Sequence, residues 1–260
     1  ITDNGETMKI VVAVDWSDQA FTAVQEVCKL YKPQELTLVH AVDLGFLESP
    51  VVAQAMNVQG YDEFRKAMVD SGKQLLTQTA ALVPPTVPSV KRVCEIGKPA
   101  KIILDASAAA VDLLVLGTRD RSRMAELMLG SVSHRVLMHA TCPTLIVKRA
   151  TPALQKVLLA VEGPDDAAWL QIWLHTHPFN SPVDLTVMTV VPRPRVTDPR
   201  AFPIVEAWNE TVKKSARELL DNITAGLKGP LYSKVTAHLS EGDPAEMIAR
   251  EAASHHLLVV

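Results

Sequence analysis

The residues best suited to chemistry are an acid and a glycine-serine pair. Asp15 comes directly after the apolar run 9–14, and Gly130-Ser131 opens a segment with a helical pattern. A carboxylate can accept hydrogen bonds from a ribose hydroxyl or an adenine amine, and the free N–H groups at a helix N-terminus bind phosphate. A purely structural interpretation is also open: Asp15 would cap the next helix together with Ser17, and the glycine-serine pair would be an ordinary turn.

Three arginines at alternate positions form a cationic loop ahead of the glycine-serine pair. Arg119, Arg121 and Arg123 lie between Gly117 and Gly130. Alternate residues of an extended segment point the same way, so the three guanidinium groups could face one phosphate chain. The alternative is a solvated loop that binds nothing, which is the commoner role of a short charge run.

The elements that must position these residues alternate between apolar strands and amphipathic helices. This pattern predicts a parallel sheet covered on both faces, and ligands of such sheets bind beyond the carboxyl ends of the strands, where the strand order reverses. In the second helix, Phe64, Met68, Leu75 and Leu82 recur at helical spacing, which predicts an apolar face. Strands are predicted at 9–14, 36–42, 90–96, 112–116 and 144–147, and helices at 18–30, 61–82, 99–110 and 127–139.

The second half of the chain repeats the first at an offset near 147 residues. Lys9-Ile-Val-Val-Ala-Val-Asp returns as Lys156-Val-Leu-Leu-Ala-Val-Glu, and Gly97-Lys-Pro-Ala returns as Gly242-Asp-Pro-Ala. A period of this length indicates a duplicated domain, with the first copy at 8–149 and the second at 156–260. The second copy stops after its fourth strand, so we expect the polypeptide to continue for about 30–40 residues. The short linker predicts that the copies pack as a pseudo-dimer.

Composition and charge exclude several classes of protein. Hydrophobic residues are 48% and charged residues 21% of the 260, so disordered and fibrous classes are excluded. No apolar run approaches the ~18–20 residues of a membrane span. The formal charge of −3 offers no general attraction to nucleic acid or to an anionic membrane. The three cysteines lack CxxC spacing and no secretory signal is recognisable before them, which predicts a reducing, cytoplasmic setting.

The chain resembles the universal stress protein family in its tandem form, over nearly all of residues 8–260. The family's nucleotide-binding members carry a glycine, two residues, a second glycine, nine residues, and then glycine with serine or threonine. Gly117 and Gly130-Ser131 fit this pattern, whereas Asp120 stands at the second glycine. The resemblance implies an α/β fold of two tandem, open, five-stranded parallel-sheet domains. These are Rossmann-like, similar to the adenine nucleotide alpha hydrolases, and the second lacks its last helix and strand in this chain.

The resemblance also implies which residues would hold an adenine nucleotide such as ATP, in the first domain alone. Asp15 matches the acid that holds the ribose and the adenine, and Ala13 and Ala41 match positions that line the base pocket. In the second domain Glu162 replaces Asp15, so no site is expected there. The residues near the phosphates would be Gly117, Arg119, Gly130, Ser131, Val132 and Ser133.

Asp120 separates two hypotheses about function. A negative charge beside a polyanion weakens binding, since two unit charges about 4 Å apart repel by about 1 kcal/mol in water and by several at an effective dielectric near 20. The first hypothesis is a stress-response regulatory or interaction protein with a degenerate nucleotide site, acting through its surfaces and through contacts in a pseudo-dimer or homodimer. The alternative is a genuine ATP-binding protein that hydrolyses slowly at most.

Other classes of site have weaker support. The histidines and cysteines show no metal-ligand spacing, and no serine lies in a GxSxG setting, so neither a metal nor a catalytic role is predicted. A phosphorelay receiver would also place an acid, a hydroxyl and a lysine where Asp15, Thr118 and Lys148 stand. It needs a second acid beside Asp15, however, and that position is Trp16.

Overall fold

The computed structural model describes residues 8–48, 60–108, 110–118, 129–194, 200 and 202–260. The chain divides into two compact units, Ile1–Ala150 and Thr151–Val260. Each unit is built on its own parallel sheet, with five strands in the first and four in the second. The fold class predicted from the sequence is therefore confirmed. No helix among the described residues is both long enough and apolar enough to cross a membrane.

The first unit is an open sheet with the strand order β3-β2-β1-β4-β5, in which every pair of neighbours is parallel. Strands that are buried on both faces carry continuous apolar runs, as in the sequence 113–116. Its elements are β1 (Lys9–Ala13), α1 (Asp18–Leu30), β2 (Glu35–Val42), a 3₁₀ turn (Gly45–Glu48), α2 (Tyr61–Ala80), β3 (Ser89–Ile96), α3 (Pro99–Ser107), β4 (Leu113–Gly117), α4 (Ser131–His139) and β5 (Thr144–Val147).

Helices cover both faces of this sheet. The helices α3 and α4 pack on one face, where their apolar side chains join strand residues such as Val11, Val39 and Leu114 in one core cluster. The helices α1 and α2 contact the strands as well, and alternation along β1 turns Ile10 and Val12 to the face opposite Val11. The carboxyl ends of all five strands thus share one edge of the sheet.

The second unit repeats the same succession of elements as far as its fourth strand. Its sheet has the order β8-β7-β6-β9, again parallel throughout. Its elements are β6 (Lys156–Ala160), α5 (Pro164–Thr176), β7 (Val183–Val191), α6 (Phe202–Gly226), β8 (Tyr232–Glu241), α7 (Pro244–Ala252) and β9 (Leu257–Val259).

The repeated Gly-x-Pro-Ala segments form the same turn in both units. Gly97 has a φ of +152° and Gly242 a φ of +149°, a region that favours glycine. The N–H of Gly97 donates to the carbonyl of Val42, and that of Gly242 to the carbonyl of Val191, both at 3.1 Å. A proline then opens the helix that follows. The sequence repeat therefore reflects a repeated backbone conformation.

Two predictions about elements need correction. The helix expected to begin at Leu127 begins at Ser131; residues 127 and 128 lie outside the described part of the chain, while 129 and 130 are not helical. Of the four residues expected on the apolar face of the second helix, Leu75 is fully buried, but Phe64 and Met68 are 38% and 37% exposed. Leu82 is 38% exposed and lies beyond the end of α2 at Ala80. The buried residues of α2 are Gly72, Leu75, Leu76 and Thr79, all in its C-terminal half.

Candidate functional site

The carboxyl ends of β1 and β4 lie side by side where the strand order of the first sheet reverses. The chain runs outward from β1 through β2 to β3 and then crosses back to β4 on the other side of β1. The connections leave the sheet in opposite directions at such a point, and the crevice between them is where ligands of open parallel sheets bind. Asp15 follows β1 and Gly117 ends β4, so both lie at this crevice.

Asp15 holds the start of α1. Its Oδ1 accepts a hydrogen bond of 3.0 Å from the N–H of Ser17 and a short one from the Ser17 hydroxyl. The Ser17 Oγ in turn accepts from the N–H of Ala20 at 3.3 Å and caps the helix. These hydrogen bonds confirm the structural interpretation of Asp15, which holds the N-cap Ser17 in place.

Gly117 is where β4 meets the first turn of α1. A Cβ added to Gly117 would lie 2.8 Å from the backbone carbon and oxygen of Gln19 and 3.0 Å from the N of Ala20. Backbone atoms cannot move aside as a flexible side chain can. The close packing of this helix on the strand end therefore explains a glycine here without any ligand.

The N-terminus of α4 has no side-chain cap among the described residues. Its N-cap residue is Gly130, with an ordinary extended backbone (φ −60°, ψ 156°), and no described side chain caps the helix. A Cβ added to Gly130 would have no described atom within 4 Å. Ser131, the next residue, is exposed. Among the described residues, no side chain therefore occupies the N–H donors and the positive end of the helix dipole at this first turn.

The side chains of Val132 and Ser133 are used by the fold. The hydroxyl of buried Ser133 donates to the carbonyl of Gly117 at 3.3 Å, which ties α4 to the end of β4. Val132 packs against the core cluster on that face of the sheet. What these two residues can offer an anion is their backbone N–H groups.

Ala13 and Ala41 lie near the carboxyl ends of β1 and β2, on the face covered by α3 and α4. Both pack, partly buried, against the cluster that contains Val11, Val39 and Leu116. Small apolar residues at the edge of a sheet make a flat floor, of the kind that accepts an aromatic base.

A cleft of about 390 Å³ opens between α3 and α4. Ser131 and Val132 border it, so it adjoins the open helix N-terminus. Lys101 forms an ion pair with Asp105 at its side. The lining residues are Asp43, Lys98, Pro99, Ala100, Lys101, Leu104, Asp105, Ser131, Val132, Arg135 and His139.

Sequence reasoning missed this cleft because its cations come from separate elements. Lys98 precedes α3, and Arg135 lies one turn into α4. Only packing of the two helices brings these positions together. The one signal in the sequence is Lys98 itself, which stands directly before the helix-opening Pro99 at the ligand-binding edge of the sheet.

The arginine loop lies outside the described residues, which resume at Leu129. The role of Arg119 at the phosphates, the shared direction of Arg121 and Arg123, and the repulsion from Asp120 therefore stay predictions. The described residue before the loop is Thr118, whose N–H donates to the carbonyl of Val147 at 3.1 Å.

The second unit holds the corresponding helix start in a different way. The N–H groups of Glu162 and Gly163 both donate to the carboxylate of Asp166, at 2.7 Å each. Asp166 thus has the structural role that Asp15 has in the first unit, and Glu162 is exposed. The described helices of this unit include no counterpart of α4.

None of the three cysteines, Cys28, Cys94 and Cys142, is joined in a disulfide. Burial raises the pKa of Cys28 to about 11, and burial is also the main reason that the pKa values of Cys94 and Cys142 are raised. A thiol with a raised pKa is a poor nucleophile at neutral pH. Among the residues that the structure describes, no group of three or more His, Cys, Asp or Glu side chains could hold a metal ion.

Comparison with known proteins gives a consistent result for the first unit. A model described as the universal stress protein family matches residues 6–148. Universal stress protein YxiE of Bacillus subtilis is 32% identical over 145 residues, which are 54% of this chain and 98% of that protein. A single-unit relative therefore aligns with about half of this chain.

Solved structures extend the likeness to both units. A universal stress protein from Archaeoglobus fulgidus aligns with 97% of this chain and 86% of its own, with a TM-score of 0.62 and 16% identity. At that identity the likeness shows the fold alone. A universal stress protein solved in complex with cAMP aligns with 55% of this chain and 97% of its own, with a TM-score of 0.35 and 20% identity. The bound cAMP is a property of that protein.

Proposed function

Because this chain belongs to the universal stress protein family, we propose that it is a regulatory protein of the stress response whose first unit binds an adenine nucleotide weakly. The base would lie on Ala13 and Ala41 beside Asp15, and the phosphates at the N-terminus of α4. The proposed activity is binding: occupancy of the crevice changes the surface that a partner protein meets, in the cytoplasm.

The observation that carries this proposal is the space around Gly130. Its backbone needs no glycine, and a Cβ there would meet no described atom. Gly117, by contrast, has a packing reason to be glycine. No contact with a described residue requires this glycine, and no described side chain caps the helix N-terminus, which lies beside the switch point of the sheet. Such a glycine fits the close approach of a phosphate to the backbone.

Asp120 is the reason that the proposed binding is weak. The family pattern has glycine at this position, and here a carboxylate stands within the phosphate-binding segment. The repulsion of about 1 kcal/mol or more that it adds is enough to lower affinity at least fivefold. The neighbouring arginines offset part of it if they face the same way.

Calorimetric titration with ATP tests the proposal on three proteins: the parent chain, Asp120→Gly and Gly130→Ala. We expect weak binding by the parent chain. Asp120→Gly should tighten it by about 5- to 150-fold, which corresponds to ~1–3 kcal/mol, and the gain should shrink in high salt because it is partly Coulombic. Gly130→Ala should weaken binding while the thermal unfolding curve changes little, since the added methyl group would meet no described atom.

The outcomes separate the proposal from its alternatives. Tight binding by the parent chain that Asp120→Gly leaves unchanged would favour a genuine ATP-binding protein. The spacing of Gly117 and Gly130-Ser131 supports that alternative. Absence of binding in all three proteins would favour an interaction protein that has lost its ligand. Only tightening by Asp120→Gly with weakening by Gly130→Ala supports a degenerate site.

We further propose that the two units are copies of one duplicated domain, 8–149 and 156–260. The shared succession of elements and the repeated glycine turns at Gly97 and Gly242 support this. Packing of the copies as a pseudo-dimer, and formation of a homodimer, stay predictions from the sequence. Chromatography with light scattering on the 260-residue chain tests the homodimer, which requires twice the monomer mass.

A further inference from the structure

We propose that the cleft between α3 and α4 binds the terminal phosphates of the nucleotide through Lys98 and Arg135, so that the site selects polyphosphates over monophosphates. The proposal rests on the proposed function for the identity of the ligand. Its own support is the cleft, its charges and its position next to the open N-terminus of α4.

The charges of the cleft favour an anion. Three cationic side chains line it, Lys98, Lys101 and Arg135, against the carboxylates of Asp43 and Asp105. Lys101 is engaged by Asp105. Within the part of the chain that the structure describes, neither Lys98 nor Arg135 takes part in an ion pair. These two cations therefore have charge to offer a ligand.

The cleft also lies directly beside the proposed phosphate-binding site at the N-terminus of α4. Ser131 and Val132 belong to the first turn of α4 and to the wall of the cleft. A phosphate bound at their N–H groups would have the cleft directly beside it. Because α3 also begins at the carboxyl edge of the sheet, and no described side chain caps it, a second helix dipole presents its positive end there.

The size of the cleft suits a polyphosphate tail better than a second complete nucleotide. Small-molecule pockets range over roughly 300–1,000 Å³, and about 390 Å³ lies at the lower end of that range. Its exposed lysine and arginine side chains give a solvated, charge-based contact. Such a contact discriminates by the number of phosphates and has little influence on the base.

The test measures the affinities of ATP, AMP, adenosine and inorganic tripolyphosphate on the parent chain, Lys98→Gln, Arg135→Gln and the double variant. Each single variant should weaken ATP and tripolyphosphate by about three- to tenfold, with adenosine unchanged and AMP changed less than about twofold. The effect should shrink as salt is raised. Lys32→Gln is the matched control, because Lys32 is exposed before β2, at the opposite edge of the sheet.

The probes keep failure of this proposal distinct from failure of the nucleotide proposal. Binding of tripolyphosphate that depends on Lys98 and Arg135, without binding of adenosine or a preference for ATP, supports the cleft and contradicts the adenine site. Three results would each overturn the proposal that the cleft binds the terminal phosphates. They are equal weakening of ATP and AMP binding, no weakening beyond that of Lys32→Gln, and no binding of tripolyphosphate to the parent chain. Unchanged thermal unfolding of the variants excludes a general loss of structure.

Discussion

At the scale of single residues, two glycines match one sequence pattern, but the physical reason for a glycine differs between the two positions. Gly117 lets the first turn of α1 pack against the end of β4, where the backbone of Gln19 leaves no room for a methyl group. Gly130 has ordinary dihedral angles, and a Cβ there would have no described atom within 4 Å. The pattern alone assigns both to phosphate, whereas the geometry assigns the first to packing and leaves the second for a ligand.

This difference predicts that replacement by alanine destabilises the fold more at Gly117 than at Gly130. Gly117→Ala should lower the free energy of unfolding of the first unit by about 1–3 kcal/mol, the usual effect of overpacking, because the added Cβ would meet backbone atoms. Gly130→Ala should lower it by less than about 1 kcal/mol, because alanine is a poorer N-cap than glycine but its methyl group would meet no described atom. Urea unfolding followed by circular dichroism measures both. Equal stability of the two variants would show that the contact with Gln19 relaxes easily.

Local residue chemistry was predictable where it depends on neighbours in the sequence. Asp15 and Ser17 cap α1 as one interpretation of the sequence expected, since both hydrogen bonds span three residues or fewer. The bond from the Ser133 hydroxyl to the Gly117 carbonyl joins residues 16 positions apart and depends on how α4 packs. A sequence pattern holds no trace of that packing, so Ser133 was assigned only by resemblance.

At the scale of elements, periodicity identified α2 but not how much of it is buried. Phe64 and Met68 share the spacing of Leu75, yet more than a third of each side chain is exposed. Phe64 meets Phe46 edge to face, with ring centroids 6.1 Å apart. The spacing defines a face of the helix, whereas burial depends on how far the sheet extends beneath it. Here the buried positions begin at Gly72.

The helix α1 should make the first unit sensitive to alkali through Cys28. Its pKa is raised from 9.0 to about 11 by burial, so between these values the unfolded chain loses a proton that the folded chain keeps. Stability should therefore fall as pH rises from about 9 to 11. Urea unfolding of the parent chain and of Cys28→Ala, under reducing conditions, measures this contribution as the difference between the two pH profiles.

Other alkaline groups are common to both proteins and cancel in that difference. Burial also raises the pKa of Tyr232 to about 12 and that of Tyr31 in the same direction. The packing defect left by Cys28→Ala adds an offset that does not depend on pH. Parallel profiles between pH 9 and 11 would show that the Cys28 thiol ionises equally easily in the folded and unfolded states.

At the scale of the whole molecule, the two units differ in how their fourth strand is covered. In the first unit β4 lies between β1 and β5, and Leu114 is fully buried in a cluster to which α4 contributes Val136. In the second unit β9 pairs with β6 alone among the described strands. Leu258, which has the register position of Leu114, is 38% exposed.

The same strand should therefore differ in protection between the units. Hydrogen exchange of the 260-residue chain should be at least about tenfold faster in residues 257–259 than in residues 113–117. Among the described elements, β9 has a strand on one side only and no counterpart of α4 over it, so local opening there exposes little additional apolar surface. The central strands β1 and β6 are the internal control, since each has a partner on both sides and should exchange slowly. Equal protection of β9 and β4 would mean that some other segment covers the edge of the second sheet. If β6 is also unprotected, the whole second unit opens in one cooperative step. The fast exchange of β9 would then not be a property of that edge strand alone.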